Sequence, residues 1–196
     1  MSAQTEQEEP PVRNDDVVAV LTRQHGEIRN LFDEVEQSAG DERKDAFRRL
    51  VRMLAVHETA EEEVIHPFAR KTFGDAAQVV ADRLEEERLA KEKLGALEHM
   101  DTQDPAFLPA LLDLRLDVMA HARYEERYEF AQLRRTANPD RLAALAKAVR
   151  AAEATAPTHP HPGVESGAKN MALGPMAAVV DRTRDAVRKA MRKDGG

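Results

Sequence analysis

The chain has no cysteine and no tryptophan, and aromatic residues make up only 4% of its 196 positions. Without thiols it can form no disulfide, zinc ribbon or thiolate-held iron–sulfur cluster, and it carries no cysteine nucleophile. The scarcity of aromatics, set against abundant Ala, Leu, Glu and Arg, disfavours a β sandwich and suits an all-α fold. No stretch is long and apolar enough to span a bilayer. The opening residues, Met1 to Asp16, are polar and acidic around Pro10-Pro11. They lack the basic start and apolar centre of a secretory leader, so a cytoplasmic location is expected. Lys and Arg number 29 against 36 Asp and Glu, and the net charge of -7 argues against nucleic acid as a partner.

What is present is helical periodicity. Residues 1–14 are expected to be disordered. Four long helices are expected over Asp15 to Ser38, Asp41 to Phe73, Asp75 to Met100 and Asp104 to Ala137. Asp41 and Asp104 serve as N-caps in this reading, and Pro67 kinks the second helix or marks its last turns. Asn138-Pro139 opens a short fifth helix to Ala154. Short connections give an up-down-up-down four-helix bundle over residues 15–154. Residues 155–174 form a Pro- and His-rich linker, and residues 175–193 a basic amphipathic helix. Its apolar face carries Met176, Val179, Val180, Val187 and Met191, which suits docking on the bundle or self-association.

Three apolar seams contain residues of the wrong chemistry for a core. They run Val18, Leu21, His25, Ile28, Phe32; then Leu50, Leu54, His57, Glu61, Val64, Phe68; then Leu114, Val118, His121, Glu125, Tyr128, Gln132. His57–Glu61 and His121–Glu125 are i,i+4 pairs, each with imidazole and carboxylate on one helix face. A buried carboxylate is costly unless paired, hydrogen-bonded or metal-bound. At about 1.5 Å per residue, alternately directed helices bring His25, His57, Glu87 and His121 to similar depth. The ligand set is therefore read as His25, His57, Glu61, Glu87, His121 and Glu125. Imidazole with carboxylate suits iron, manganese or zinc, and Glu61 and Glu125 are placed to bridge two ions. A zincin His-Glu-x-x-His is absent, because His57-Glu58 is followed by Glu61. A ferritin-like pair of Glu-x-x-His steps is absent too. Only Glu63-x-x-His66 has that spacing, and His66 falls about 180° from His57 on a regular helix.

The segments Gln24-His25-Gly26-Glu27-Ile28, His57-Glu58-Thr59-Ala60-Glu61-Glu62 with Pro67 downstream, and His121-Ala122-Arg123-Tyr124-Glu125-Glu126 resemble the hemerythrin-like HHE cation-binding family. The resemblance runs from Asp15 to Ala137 and implies a four-helix bundle holding two iron ions in an oxo- or hydroxo-bridged centre, with Mn or Zn as lesser alternatives. By that resemblance His25, His57, Glu61, His121 and Glu125 become iron ligands. The third helix departs from the pattern. Bacterial members carry Glu-His there, whereas this chain has Glu85-Glu86-Glu87-Arg88, with Glu87 in the histidine place. Lys91 stands where oxygen carriers have a further histidine. The resemblance therefore implies peroxide or dioxygen chemistry rather than reversible oxygen carriage. The linker Thr158-His-Pro-His-Pro-Gly163 and the basic tail resemble actinobacterial members, for which a catalase-like role is implied.

Two further readings stand beside this one. The chain could bind or sense iron, dioxygen or nitric oxide without turnover, or the metal could be structural while the tail recruits a partner. Lys91 and Tyr124 are candidates for steering protons. Glu58 and Glu62 are expected to be exposed or beside the ligands, with either able to replace one of them, Tyr124 and Tyr128 in the core or beside the site, and His66 and His99 on the surface.

Overall fold

A computed structural model describes residues 16–73, 76–159 and 174–192, with the side chains of 76–80, 174–181 and 192 outside the description. The expected disordered segment 1–14 and most of the expected linker lie outside the described residues. Among the described residues every regular element is helical. Helix α1 (Val17–Gln37) is started by Asp16, whose carboxylate accepts from the Ala19 amide at 2.8 Å. Gly40, at φ +56, takes the left-handed turn into α2 (Gly40–Ala60). Asp41 is not the expected N-cap of that helix. It lies inside the first turn, where its charge complements the helix dipole.

The second long segment is not one regular helix. A π-helical turn (Glu61–Ile65) separates α2 from α3 (His66–Thr72). Helix α4 (Ala76–Glu98) returns alongside. Asp104-Pro105 does not open the next helix as expected. Asp104 instead accepts from the Ala106 amide, closing a turn that precedes α5 (Phe107–Tyr124). A second π turn (Glu125–Glu129) joins α5 to α6 (Phe130–Thr136). Helix α7 (Pro139–Glu153) starts as expected, with Asn138 accepting from the Arg141 amide and proline in its first turn. Helix α8 (Gly174–Arg192) packs along α7.

The core is split into two apolar blocks. One holds Ile28, Phe32, Leu50, Leu54, Leu111 and Leu114; the other holds Val18, Leu21, Val64, Ile65, Phe130 and Leu133, roofed by Leu145 and Val149 of α7. Each of the helices α1, α2 and α5 contributes to both blocks through its continuation, and between the blocks each presents a polar residue. That polar layer is where His25, His57 and His121 lie. The described apolar side chains Val187 and Met191 of α8 pack on the second block of their own chain. Thr183 is fully buried and pairs with Thr155, and Arg184 Nε meets Glu63 at 3.0 Å. Met176, Val179 and Val180 of the expected apolar face lie outside the described side chains.

Candidate metal centre

Both i,i+4 pairs end where the helix widens. Glu61 and Glu125 are the first residues of the two π turns, and each carbonyl accepts from the amide five residues on, that of His66 or Phe130. Pro67 follows the first turn, but no proline follows the second, so proline is not their common cause. Each turn takes up one residue beyond the α-helical count, so every downstream side chain lags by about 100°. The inward set becomes Ile65, His66 and Ala69 on one helix and Glu129, Phe130 and Leu133 on the other. This corrects three expectations at once. His66 is buried rather than at the surface, Tyr128 is half exposed, and Gln132 is not in the core. His99 is exposed, as expected.

The inward side chains form two groups whose donor atoms lie within 4.8 Å of one another: His25, His57, Glu61 and Glu125; and Glu58, Glu87 and His121. All seven residues are buried. The six residues chosen from sequence all fall here, joined by Glu58, which the sequence offered only as a replacement for one of them. The signal for Glu58 was its position directly after His57, which puts it on the flank of the same helix face. Glu125 stands between the groups, with Oε2 3.4 Å from His25 Nε2 and Oε1 3.4 Å from His121 Nε2. Glu61 Oε2 lies 3.4 Å from His57 Nε2.

Each of these three histidines is held from outside through Nδ1. His25 Nδ1 pairs with Glu126 Oε1 at 2.9 Å, His57 Nδ1 with Gln24 Oε1 at 2.9 Å, and His121 Nδ1 with Glu86 Oε2 at 3.0 Å. The outer group accepts, so Nδ1 carries a proton and Nε2 faces inward. Gln24 is itself fixed, because its amide nitrogen donates to Glu153 of α7. This is how metal-binding imidazoles are usually oriented. The inward atoms are left without hydrogen-bond partners: Nε2 of His25 and His121, both oxygens of Glu61 and Glu125, and one oxygen each of Glu58 and Glu87. Buried polar atoms rarely stay unpaired, and so many facing one another fit a bound cation.

Electrostatics point the same way. Burial pushes the His57 imidazole down to about 3, helped by the neighbouring His25 and His121. Burial pushes Glu87 up to about 8, with Glu58 adding to it. Burial, then Glu125 and Glu58, hold Glu61 well above the usual carboxylate range. Glu125 goes the other way. Burial would raise it, but the imidazoles of His121 and His25 hold it well below that range. Five glutamates are buried in this layer, Glu58, Glu61, Glu87, Glu125 and Glu129, against two buried cationic side chains, Lys91 and Arg83. Ionised together they leave a formal excess of three negative charges, which two divalent cations offset and protons would otherwise have to.

Helix α4 contributes a polar inner stripe, Arg83, Glu87 and Lys91, at four-residue steps. Lys91 donates to Glu62. Arg83 meets Glu86 and lies 3.9 Å over the Tyr124 ring. The run Glu85 to Arg88 is thus divided. Glu85 and Arg88 pair with each other at the surface, Glu86 supports His121, and Glu87 faces the centre.

Two narrow cavities of about 10 Å³ each adjoin the second group. Both are lined by Glu58 and Val118, one also by Glu87, Lys91 and Leu94, the other by His25, His57 and Met119. A larger groove of about 440 Å³ beside Phe47, Val51 and Met100 shares no residue with the site.

Comparison with known proteins agrees with this chemistry. The family model of the hemerythrin HHE cation binding domain matches residues 16–133. An uncharacterised hemerythrin-like protein of Schizosaccharomyces pombe is 28% identical over 138 residues, covering 69% of this chain and 68% of its own. A protein of Nostoc named DNA nickase is 28% identical over 136 residues, covering 68% of this chain but only 38% of its own. No solved structure matches the chain significantly.

Proposed function

We propose, from the premise that this chain belongs to the hemerythrin HHE cation-binding family, that it holds two iron ions and reacts with hydrogen peroxide or dioxygen. The observation that carries this reading is the set of inward nitrogen and oxygen atoms that have no partner. In this reading His25, His57, Glu61 and Glu125 hold one ion and Glu58, Glu87 and His121 the other, with Glu125 between them. When bound, such a pair supplies electron-transfer chemistry and an open position for a small oxidant.

The chain's own residues set the conditions. Val118, Met119 and Leu94 line the cavities with apolar surface. Volumes of about 10 Å³, at the lower limit for one water, leave room beside the centre for only the smallest molecules. Lys91 borders the cavity that holds Glu58 and Glu87, so its ammonium is placed to hold or pass a proton there. Tyr124 lies under Arg83 instead and lines neither cavity, which favours Lys91 as the proton-handling residue. The carboxylate-rich donor set favours the oxidised metal, and so turnover over reversible carriage.

No described helix is long and apolar enough to cross a membrane, and a cytoplasmic location is part of the same proposal. The net charge of -7 gives no electrostatic support for carrying DNA cleavage over from the Nostoc relative. The test is the full-length chain produced with ample iron. Elemental analysis should give two irons per chain, and added peroxide should be consumed with release of oxygen. A single zinc per chain would refute the cofactor. A lasting, reversible oxygenated spectrum without peroxide turnover would replace the enzyme with a carrier or sensor.

A further inference from the structure

Four imidazole–carboxylate or imidazole–amide pairs surround the centre, and one of them is inverted and wholly buried. In three pairs the imidazole faces the centre and an oxygen-bearing side chain supports it from outside: His25 with Glu126, His57 with Gln24, His121 with Glu86. In the fourth the carboxylate of Glu87 faces the centre and an imidazole supports it. His66 Nε2 lies 2.6 Å from Glu87 Oε1, and both side chains are at most 1% exposed. The other oxygen of Glu87 has no partner, and Glu87 groups with Glu58 and His121. We propose that His66 is the positioning residue for Glu87, fixing that carboxylate for the second cation position as a ligand pair with its inner and outer members exchanged.

Three features support the inference. A free carboxylate on α4 could turn toward Lys91 of the same helix, four residues on, but Nε2–H of His66 ties down one oxygen and leaves the other for the centre. His66 reaches the interior only because of the π turn that precedes it, since nine regular helical residues from His57 would point it the opposite way. Finally, the second group has three members against four in the first, so it depends more heavily on each. Outer partners of metal ligands characteristically change affinity by about 10- to 100-fold when lost.

The inference rests on the cation-binding reading of the site, and the experiment separates the two. Metal-free full-length chain is titrated anaerobically with ferrous iron against a chromophoric chelator, and thermal melting is followed in parallel. Wild type should take up two ions. His66→Leu should stay folded and keep the first ion while binding the second about 10- to 100-fold more weakly. His66→Gln, which can still donate to Glu87, should recover most of that loss. The exchange variant His66→Glu with Glu87→His should bind the second ion better than Glu87→His alone. Two ions at unchanged affinity in His66→Leu would overturn the role of His66 and leave the cation site standing. A wild type that binds no ion would overturn both.

Discussion

Glu61 and Glu125 occupy equivalent places in the bundle: each lies four residues after an inward histidine, and each opens a π turn through its own carbonyl. The carboxylate and the irregular backbone therefore begin at the same residue on both helices. Local widening of a helix is common at functional sites, and here it changes which residues reach the interior on the far side of the polar layer.

Removing one imidazole should cost the centre an ion. His57→Ala takes away the imidazole beside Glu61, and His121→Ala leaves Glu125 with His25 alone. Iron content should fall to one ion per chain or fewer, and the melting temperature of the iron-loaded protein should drop. Full occupancy in both variants would show that these pairs are not ligands.

The metal-free protein should lose stability between pH 6.5 and 8. Glu87 and Glu62 are both held up to about 8 by burial, so the folded state retains protons that the unfolded chain has released. Their contribution is complete below about pH 4.5 and is lost as pH rises through 8. His57, pushed down to about 3 by burial, acts oppositely, but its gain is finished by pH 6.5. Above that only the loss remains. Melting temperature should fall across this window without metal and stay nearly level with iron bound. A rise with pH in the metal-free chain would contradict the buried placement of these carboxylates.

The register after the second π turn can be checked by stability alone. Leu133 is fully buried and Tyr128 is 51% exposed. Leu133→Ala should therefore cost about 2–5 kcal/mol. Tyr128→Ala should cost less than about 1 kcal/mol, as surface changes do. An uninterrupted helix would make Tyr128 the more costly of the two.

Deleting the chain beyond Ala154 should leave the iron in place, because neither ligand group includes a residue of α8. It should lower the melting temperature by a few degrees, since Thr183, Val187 and Met191 are covered by their own chain and Arg184 pairs with Glu63. Loss of iron on truncation would make α8 part of the centre.

Much of this was legible in the sequence. The four-step and three-step spacing of apolar residues gave the helices, and Asn138-Pro139 marked the start of α7 because side-chain capping and proline geometry are local. The interruption of each seam by a His, and of two of them by a Glu as well, pointed to the polar layer. The π turns were not legible. A regular period assumes a constant count per turn, so every inference past Glu61 and Glu125 was rotated by one residue. That rotation sent His66 to the surface and Tyr128 and Gln132 to the core, the reverse of what is found. Glu58 could be given only as a replacement ligand for a related reason. Its place on the flank of the His57 face is ambiguous until α4 brings Glu87 against it. The start of α5 was misjudged because Asp104-Pro105 fits both a helix cap and a turn, and the turn wins here.

The widened backbone has a consequence for how this gene can vary. Between Glu61 and His66 the chain carries one residue more than an even helix needs. An in-frame deletion of one codon from 62–65 that restored an even helix would leave His66 and Ala69 facing inward, because one residue fewer and the lost 100° lag cancel. A change that straightened the turn at full length would instead swing His66 and Ala69 about 100° toward solvent and bring the Phe68 face inward. Single-residue deletions that spare Glu61 and Glu125 should therefore keep the packing downstream, and single-residue insertions in the same segments should not.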